Sequence, residues 1–362
     1  MSAADKQTYV YIGGYAPAEQ DGIRAFVLDE GTGALTPAGG LAGVANPSFL
    51  AASPDGRTIY AASEVGSFNG RDGVGAVAAV AVGEGGALSL LGQECSEGAG
   101  PCHVSVTPDG GAVLAANYGG GSVARLPVGG GGALGAATGS AKHDGPSRAH
   151  PGRQENCHAH SITPHPSGAF AVACDLGADR LFVYRLDGEG GGLTAAGAVA
   201  TRPGAGPRHL DFSADGRFAY VVNELDNTVA VYEVDPAAAA LTEVQVVGTL
   251  PEGFTGSNTT AEVRLHPSGR FLYASNRGHD SIATFLVDAD TGRLAPLWHT
   301  PTGGKTPRNF AVSPSGRWLI AANQDSDSLT VFRVDPDTGR LEASGDPVAT
   351  PKPTRVLFLG AG

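Results

Sequence analysis

The chain is short of charge. Asp, Glu, Lys and Arg make up 17% of its 362 residues, and it holds one Met and two Trp. So thin a supply of charged helix formers excludes a coiled coil or a long helical array. Apolar residues reach 41%, which excludes intrinsic disorder. No run approaches the ~18 apolar residues that a membrane helix requires. The start, MSAADKQTYVYIGGY, lacks a basic segment followed by an apolar one, so no secretory signal is expected and a cytoplasmic location is. A basic surplus is missing as well. The net charge of -12 argues against nucleic acid or an anionic membrane as partner. The four cysteines, Cys95, Cys102, Cys157 and Cys174, form no CxxC pair and no zinc-ligand spacing, and are read as buried thiols in a reducing compartment.

What the chain has in quantity is turn formers: 55 Gly and 24 Pro, without the G-X-Y period of collagen. They fall in a repeat. An apolar strand, a turn and a second apolar strand recur in NPSFLAASPDGRTIYAASE, PCHVSVTPDGGAVLAANY, AHSITPHPSGAFAVACDL, PRHLDFSADGRFAYVVNE, AEVRLHPSGRFLYASNR and PRNFAVSPSGRWLIAANQ. The turn prolines are Pro54, Pro108, Pro166, Pro267 and Pro314, with Ala214 standing in the fourth copy, at gaps of 54, 58, 48, 53 and 47 residues. A period near 50 made of short strands is the signature of propeller blades. A second hairpin follows each, beginning near Ala25, Ala76, Val123, Leu181, Val229, Ile282 and Leu329, which makes seven outer hairpins against six inner ones. Asp-Gly, Thr-Gly and Gly-Gly at their bends supply the positive φ of tight hairpins. The ends fill the gap, since Tyr9–Ile12 and Arg355–Leu359 both read as strands. The expected fold is all-β: one seven-bladed propeller over residues 1–362, four antiparallel strands per blade, closed by both termini in one blade.

Register then locates the rim of the central channel. Six residues before each turn proline stand Ser48, Cys102, His160, Arg208, Ala261 and Arg308. Ten residues after it stand Glu64, Tyr118, Leu176, Glu224, Arg277 and Gln324, preceded by Ser63, Asn117, Asp175, Asn223, Asn276 and Asn323. In an antiparallel hairpin these sets lie together at the end opposite the turn. Strand interiors are apolar by contrast: Leu50, Val104, Ile162, Leu210, Val263 and Phe310 lie four residues before the turn. Asparagine at a strand end commonly just satisfies a turn, and Asn117 and Asn323 are read that way. A rim carrying three arginines, a histidine and carboxylates, in a chain this poor in charge, is read as a binding or catalytic surface. A segment of about 20 residues, SAKHDGPSRAHPGRQENCHAH, leads to His160 and is long enough to shape a pocket. His158 and His160 alternate on a strand and are expected to share a face, but without a third ligand of defined spacing no metal site is assigned.

At this point the sequence resembles the seven-bladed propeller lactonase family, which includes propeller-type 6-phosphogluconolactonases and the fungal 3-carboxy-cis,cis-muconate lactonizing enzyme. The resemblance covers essentially the whole chain and rests on YIGGY, RQENCHAHSITPHPSG, ACDLGADRLFVY, GPRHLDFSADGRFAYVVNELDNTV, AEVRLHPSGRFLYASNRGHDSI and TPRNFAVSPSGRWLIAANQ. It implies functional roles for His160 in HAHS, Arg208 in GPRH, Glu224 in NELDN and Arg277 in SNRGHDS, all four already on the rim by register. Cys157 departs from the Pro that relatives often carry there. The implied reaction is hydrolysis of a small anionic sugar lactone, 6-phosphogluconolactone first, with no cofactor. His160 or Glu224 serves as base, and Arg208 and Arg277 hold the oxyanion or an anionic group. Arg308, Asn223, Asn276, Gln324, His158 and Arg153 are expected to contact substrate. A carboxymuconate cycloisomerase and a non-catalytic binding propeller are the alternatives, and oligomeric state is left open.

Overall fold

The computed structural model describes residues 7–186 and 191–360. The first residues of the chain, read above for a secretory signal, and residues 187–190 of the fourth outer hairpin lie outside them. Among the described residues the regular structure is β-strand, with three short 3₁₀ turns and no α-helix. Seven antiparallel sheets follow one another around a ring. The first blade runs from Pro47–Ala52 outward through Thr58–Ser63 and Ala76–Val82 to Leu88–Cys95. The next five start at the innermost strands Pro101–Val106, Ala159–Pro164, Pro207–Phe212, Thr259–Leu265 and Pro307–Val312. In the sixth blade the outermost strand is split into Leu341–Ala343 and Val348–Ala349.

The seventh blade takes its innermost strand, Pro353–Gly360, from the C-terminal end and its other three from the N-terminal end, with Tyr11 opposite Leu357. Both chain ends are thereby hydrogen-bonded into one sheet, whose inner edge is as short and protected as those of the other blades. Gly13 of the YIGGY run is dictated by this closure, because a Cβ there would strike the carbonyl oxygen of Pro47 on the first blade.

Each gap between adjacent blades holds one apolar cluster. Leu50 and Ile59 meet Tyr11 and Ile23, for example, and Phe310 and Leu319 meet Phe271 and Tyr273, all essentially without solvent contact. Truncating one of these side chains to Ala costs about 2–5 kcal/mol. The inner turns are uniform: Gly56, Gly110, Gly168, Gly216, Gly269 and Gly316 all have φ between 69° and 75°, a left-handed conformation that Cβ-bearing residues resist. One expectation is corrected here. Cys102, Cys157 and Cys174 are buried, but Cys95 is only half-buried because it ends an outermost strand.

Candidate active site

Every innermost strand carries a bulge one or two residues in from its start. Pro207 pairs with Asn223, yet the next paired residue is His209 with Val222, so Arg208 is the extra residue. The same slip isolates Ser48, Cys102, His160, Arg308 and, on the closing strand, Thr354. In the fifth blade it falls at Ala261 and Glu262. A bulge breaks the strict alternation of a strand and re-aims side chains. Two successive residues, such as Ser48 and Phe49 or Arg208 and His209, therefore face the channel.

The upper tier forms a cleft of about 280 Å³ at the channel mouth, lined among others by Tyr118, Arg153, His160, Glu224, Arg277 and Arg308. Glu224 is its electrostatic centre. Oε1 accepts from Nη2 of Arg153 at 2.6 Å, and Oε2 accepts from Nε of Arg208 at 2.9 Å and faces Nη2 of Arg277 at 3.0 Å. Burial pushes the carboxyl pKa up, but Arg277, Arg208, His160 and Arg153 outweigh it and hold Glu224 well below the usual carboxylate range. His160 Nε2 stands 4.0 Å from Oε2, too far for a hydrogen bond, so the carboxylate does not tie up the imidazole. Burial, then Arg208 and His209, keep the His160 pKa well below 6.5 and the ring neutral. Its Nδ1 lies 3.7 Å from Sγ of Cys102, and the tautomer that places its proton on Nδ1 is the one with a lone pair on Nε2, toward the cleft. Burial raises the Cys102 thiol pKa far above neutrality, which removes it as a nucleophile.

The arginines are not equivalent. Arg208 is only 2% exposed, and its Nη1 donates to the carbonyl of Ala261 at 2.5 Å, so it forms the floor under Glu224 rather than a wall of the cleft. Arg277 donates Nη2 to the carbonyl of Thr260 at 2.8 Å, while its buried Nε has no partner among the described residues. Arg308 makes no hydrogen bond or ion pair among the described residues and lies over the Tyr15 ring, 5.7 Å from its centroid. The Arg277 Nε is shut off from the cleft, whereas the Arg308 guanidinium, which lines it, suits an anion.

Arg153 reaches Glu224 from the long connection. The SAK at the start of that segment belongs to the outer strand Gly139–Lys142, and residues 143–158 form the excursion. Its base is pinned by Asp175, which accepts from Nδ1 of His143 and from the backbone N–H of His158, and by Asp179, which accepts from Ser147 and Gln154. Gly177 lets the excursion approach, since a Cβ there would overlap the carbonyl oxygen of Asn156.

Other expected contacts lie elsewhere. His158 precedes the strand and the bulge turns His160 away from it, so the two do not share a face. His158 stacks on Tyr118 at 4.3 Å and meets its carbonyl at 2.9 Å, while His160 meets the Tyr118 ring edge-on. Asn276 is spent on the carbonyl and hydroxyl of Thr249 and on Asn258, and Asn223 donates to Thr228. Neither lines the cleft, because strand-end asparagines point along the blade to satisfy the connection beside it. Gln324 opens a short 3₁₀ turn and donates to Asp325.

A second tier beneath the cleft had no signal in strict alternation. His103, His209, Glu262, Asn309 and Arg355 are buried around the channel axis. Glu262 accepts from Asn309, meets His209 Nδ1 at 3.2 Å and has Arg355 at 3.7 Å. The bulges were the missing information. Two larger clefts, about 600 Å³ each, lie by the outer hairpin of the sixth blade and by the inner turns of the first two blades, and neither contains a histidine.

A protein-family model described as Lactonase, 7-bladed beta-propeller, matches residues 9–358. The chain belongs to the seven-bladed β-propeller lactonase family. That membership, with lactone-hydrolysing enzymes among its relatives, gives it the hydrolase class. A 6-phosphogluconolactonase of Bacillus subtilis is 37% identical over 286 residues, 79% of either chain. The structure of a periplasmic gluconolactonase of Pseudomonas aeruginosa superposes with a TM-score of 0.91 at 36% identity, covering 98% of this chain and all of that one. A Lactobacillus plantarum protein gives 0.89 at 31% identity.

Proposed function

We propose that this lactonase hydrolyses a small anionic sugar lactone, with 6-phosphogluconolactone as its substrate. The observation that carries the reading is a neutral histidine, unencumbered by the carboxylate beside it, in a cleft also lined by Arg277 and by Arg308, whose guanidinium has no hydrogen-bond or ion-pair partner among the described residues. His160 Nε2 takes a proton from water as the water oxygen adds to the lactone carbonyl carbon. The resulting oxyanion is met by Arg277. Collapse breaks the ring C–O bond, and the leaving alkoxide takes its proton from His160, which returns the imidazole to its starting state and releases the hydroxy acid. Glu224, held ionised, is an organiser of Arg153, Arg208 and Arg277 rather than the base. Arg308 holds the phosphate. No step is routed through a metal.

Fresh 6-phosphogluconolactone, glucono-δ-lactone and a carboxymuconate, each with and without chelator, test this against the spontaneous rate in buffer. Acceleration of the first, abolished in His160→Ala and insensitive to chelator, is expected. Turnover of the carboxymuconate alone would refute it. The names of the Bacillus and Pseudomonas relatives differ in whether the lactone carries phosphate, and the first two substrates separate those cases. Placement in the cytosol, as a step of sugar-phosphate metabolism, is part of the same proposal; it draws support from four cysteines that are all free. Cell fractionation checks it.

A further inference from the structure

The cleft holds a second carboxylate that hydrolysis as described does not use. Glu64 follows the second strand of the first blade, across the ring from Glu224 on the fourth. It borders both the cleft and the narrow void that continues below it. Its environment differs from that of Glu224. Among the described residues its side chain accepts one hydrogen bond, from the Tyr15 hydroxyl to Oε2 at 3.1 Å, and forms no ion pair. Arg308 lines the same cleft without closing onto it. A half-buried carboxylate is acceptor-only and has room for several donors, so beside one tyrosine Oε1 is available to a donor in the cleft. Burial pushes the Tyr15 hydroxyl up to about 12, so it stays protonated and donates to Glu64.

We propose that Glu64 is a specificity-determining residue: Oε1 accepts a hydrogen bond from a substrate hydroxyl, so the cleft selects polyhydroxylated lactones over deoxygenated ones and over polycarboxylates. This rests on the lactone reading above and extends it. A carboxylate fixed by Tyr15 rewards a hydroxyl donor. An analogue lacking that hydroxyl leaves the carboxylate unpaired, and one bearing an extra carboxylate is repelled.

The test is binding of non-reacting product forms to the full chain by calorimetry. The probes are gluconate and 5-hydroxyhexanoate, which keeps the carboxylate and the ring-closing hydroxyl and lacks the others. The wild type is expected to prefer gluconate, and Glu64→Ala to shrink that ratio of Kd values by about tenfold to a hundredfold, the range for a hydrogen bond to a charged acceptor. An unchanged ratio overturns the proposal, including the case in which both affinities fall together through a structural defect. A wild type that does not distinguish the two probes, or does not bind gluconate, overturns it as well. Glu64→Gln is expected to bind tricarballylate more tightly than the wild type, and no gain removes the polycarboxylate part. Failure of the lactonase reading is distinct: gluconate would bind with the expected ratio while no fresh lactone is turned over.

Discussion

Removing the Glu224 carboxylate is the sharpest test of the site's electrostatics. Its side chain is 4% exposed and it answers Arg208 at 2%, Arg277 at 13% and Arg153 at 34%. In Glu224→Ala the Arg208 and Arg277 guanidiniums stay buried without their counter-charge, and breaking a buried pair from one side costs about 3–5 kcal/mol. Arg153→Ala removes a partner a third exposed and leaves Glu224 with two others, so screening and solvation hold its cost to about 0–1 kcal/mol. Urea denaturation of both variants measures the contrast. A double-mutant cycle with Arg208→Ala should return a coupling of about 0.5–3 kcal/mol, because the double variant no longer strands Arg208 and leaves only Arg277 buried without the carboxylate. Glu224→Ala within about 1 kcal/mol of wild type, or indistinguishable from Arg153→Ala, would refute the view of Glu224 as the organising counter-charge.

Other outcomes follow from the same geometry. His160→Gln should lower kcat about 10²–10⁴-fold with little change in KM, the span of general base catalysis, measured by lactone hydrolysis over the buffer rate. The acid limb of kcat/KM should lie below pH 6.5, because the His160 pKa is depressed. Stability should fall in the same direction. His103, His160 and His209 all have folded pKa values below 6.5, burial being the first cause in each, so the unfolded chain binds more protons as pH falls. Their stabilisation is complete above about pH 6.5 and is lost below it, at up to about 1.4 kcal/mol per group per pH unit, and urea midpoints at a series of pH values check the sign. Gly177→Ala should displace the excursion that carries Arg153 and lower kcat/KM at least as far as Arg153→Ala does.

Much of the site was legible because a hairpin's symmetry is written in its sequence. His160 and Glu224 lie equal distances from the turns of their hairpins, and antiparallel pairing brings those ends to one rim. Asn223 and Asn276 satisfied the same rule and yet turn into the blade, since register sets an end and not a direction. His209 and Glu262 were hidden for a related reason. Alternation assigns the residue after Arg208 to the opposite face, and the bulge puts both on the channel. Arg153 could be placed near the rim by loop length, but its bond to Glu224 depends on Asp175, Asp179 and Gly177 holding the excursion from another strand end.

The sequence by itself determined the number of blades, the closure by the two chain ends and the rim on which histidine, glutamate and arginine gather. These depend on periodicity and turn chemistry, which are local. Tertiary structure alone decided which charges are spent and which are free. Among the described residues three arginines converge on Glu224 while Arg308 and one oxygen of Glu64 take no hydrogen-bonding side-chain partner, because partners from different blades meet only when the ring closes and excludes water between them.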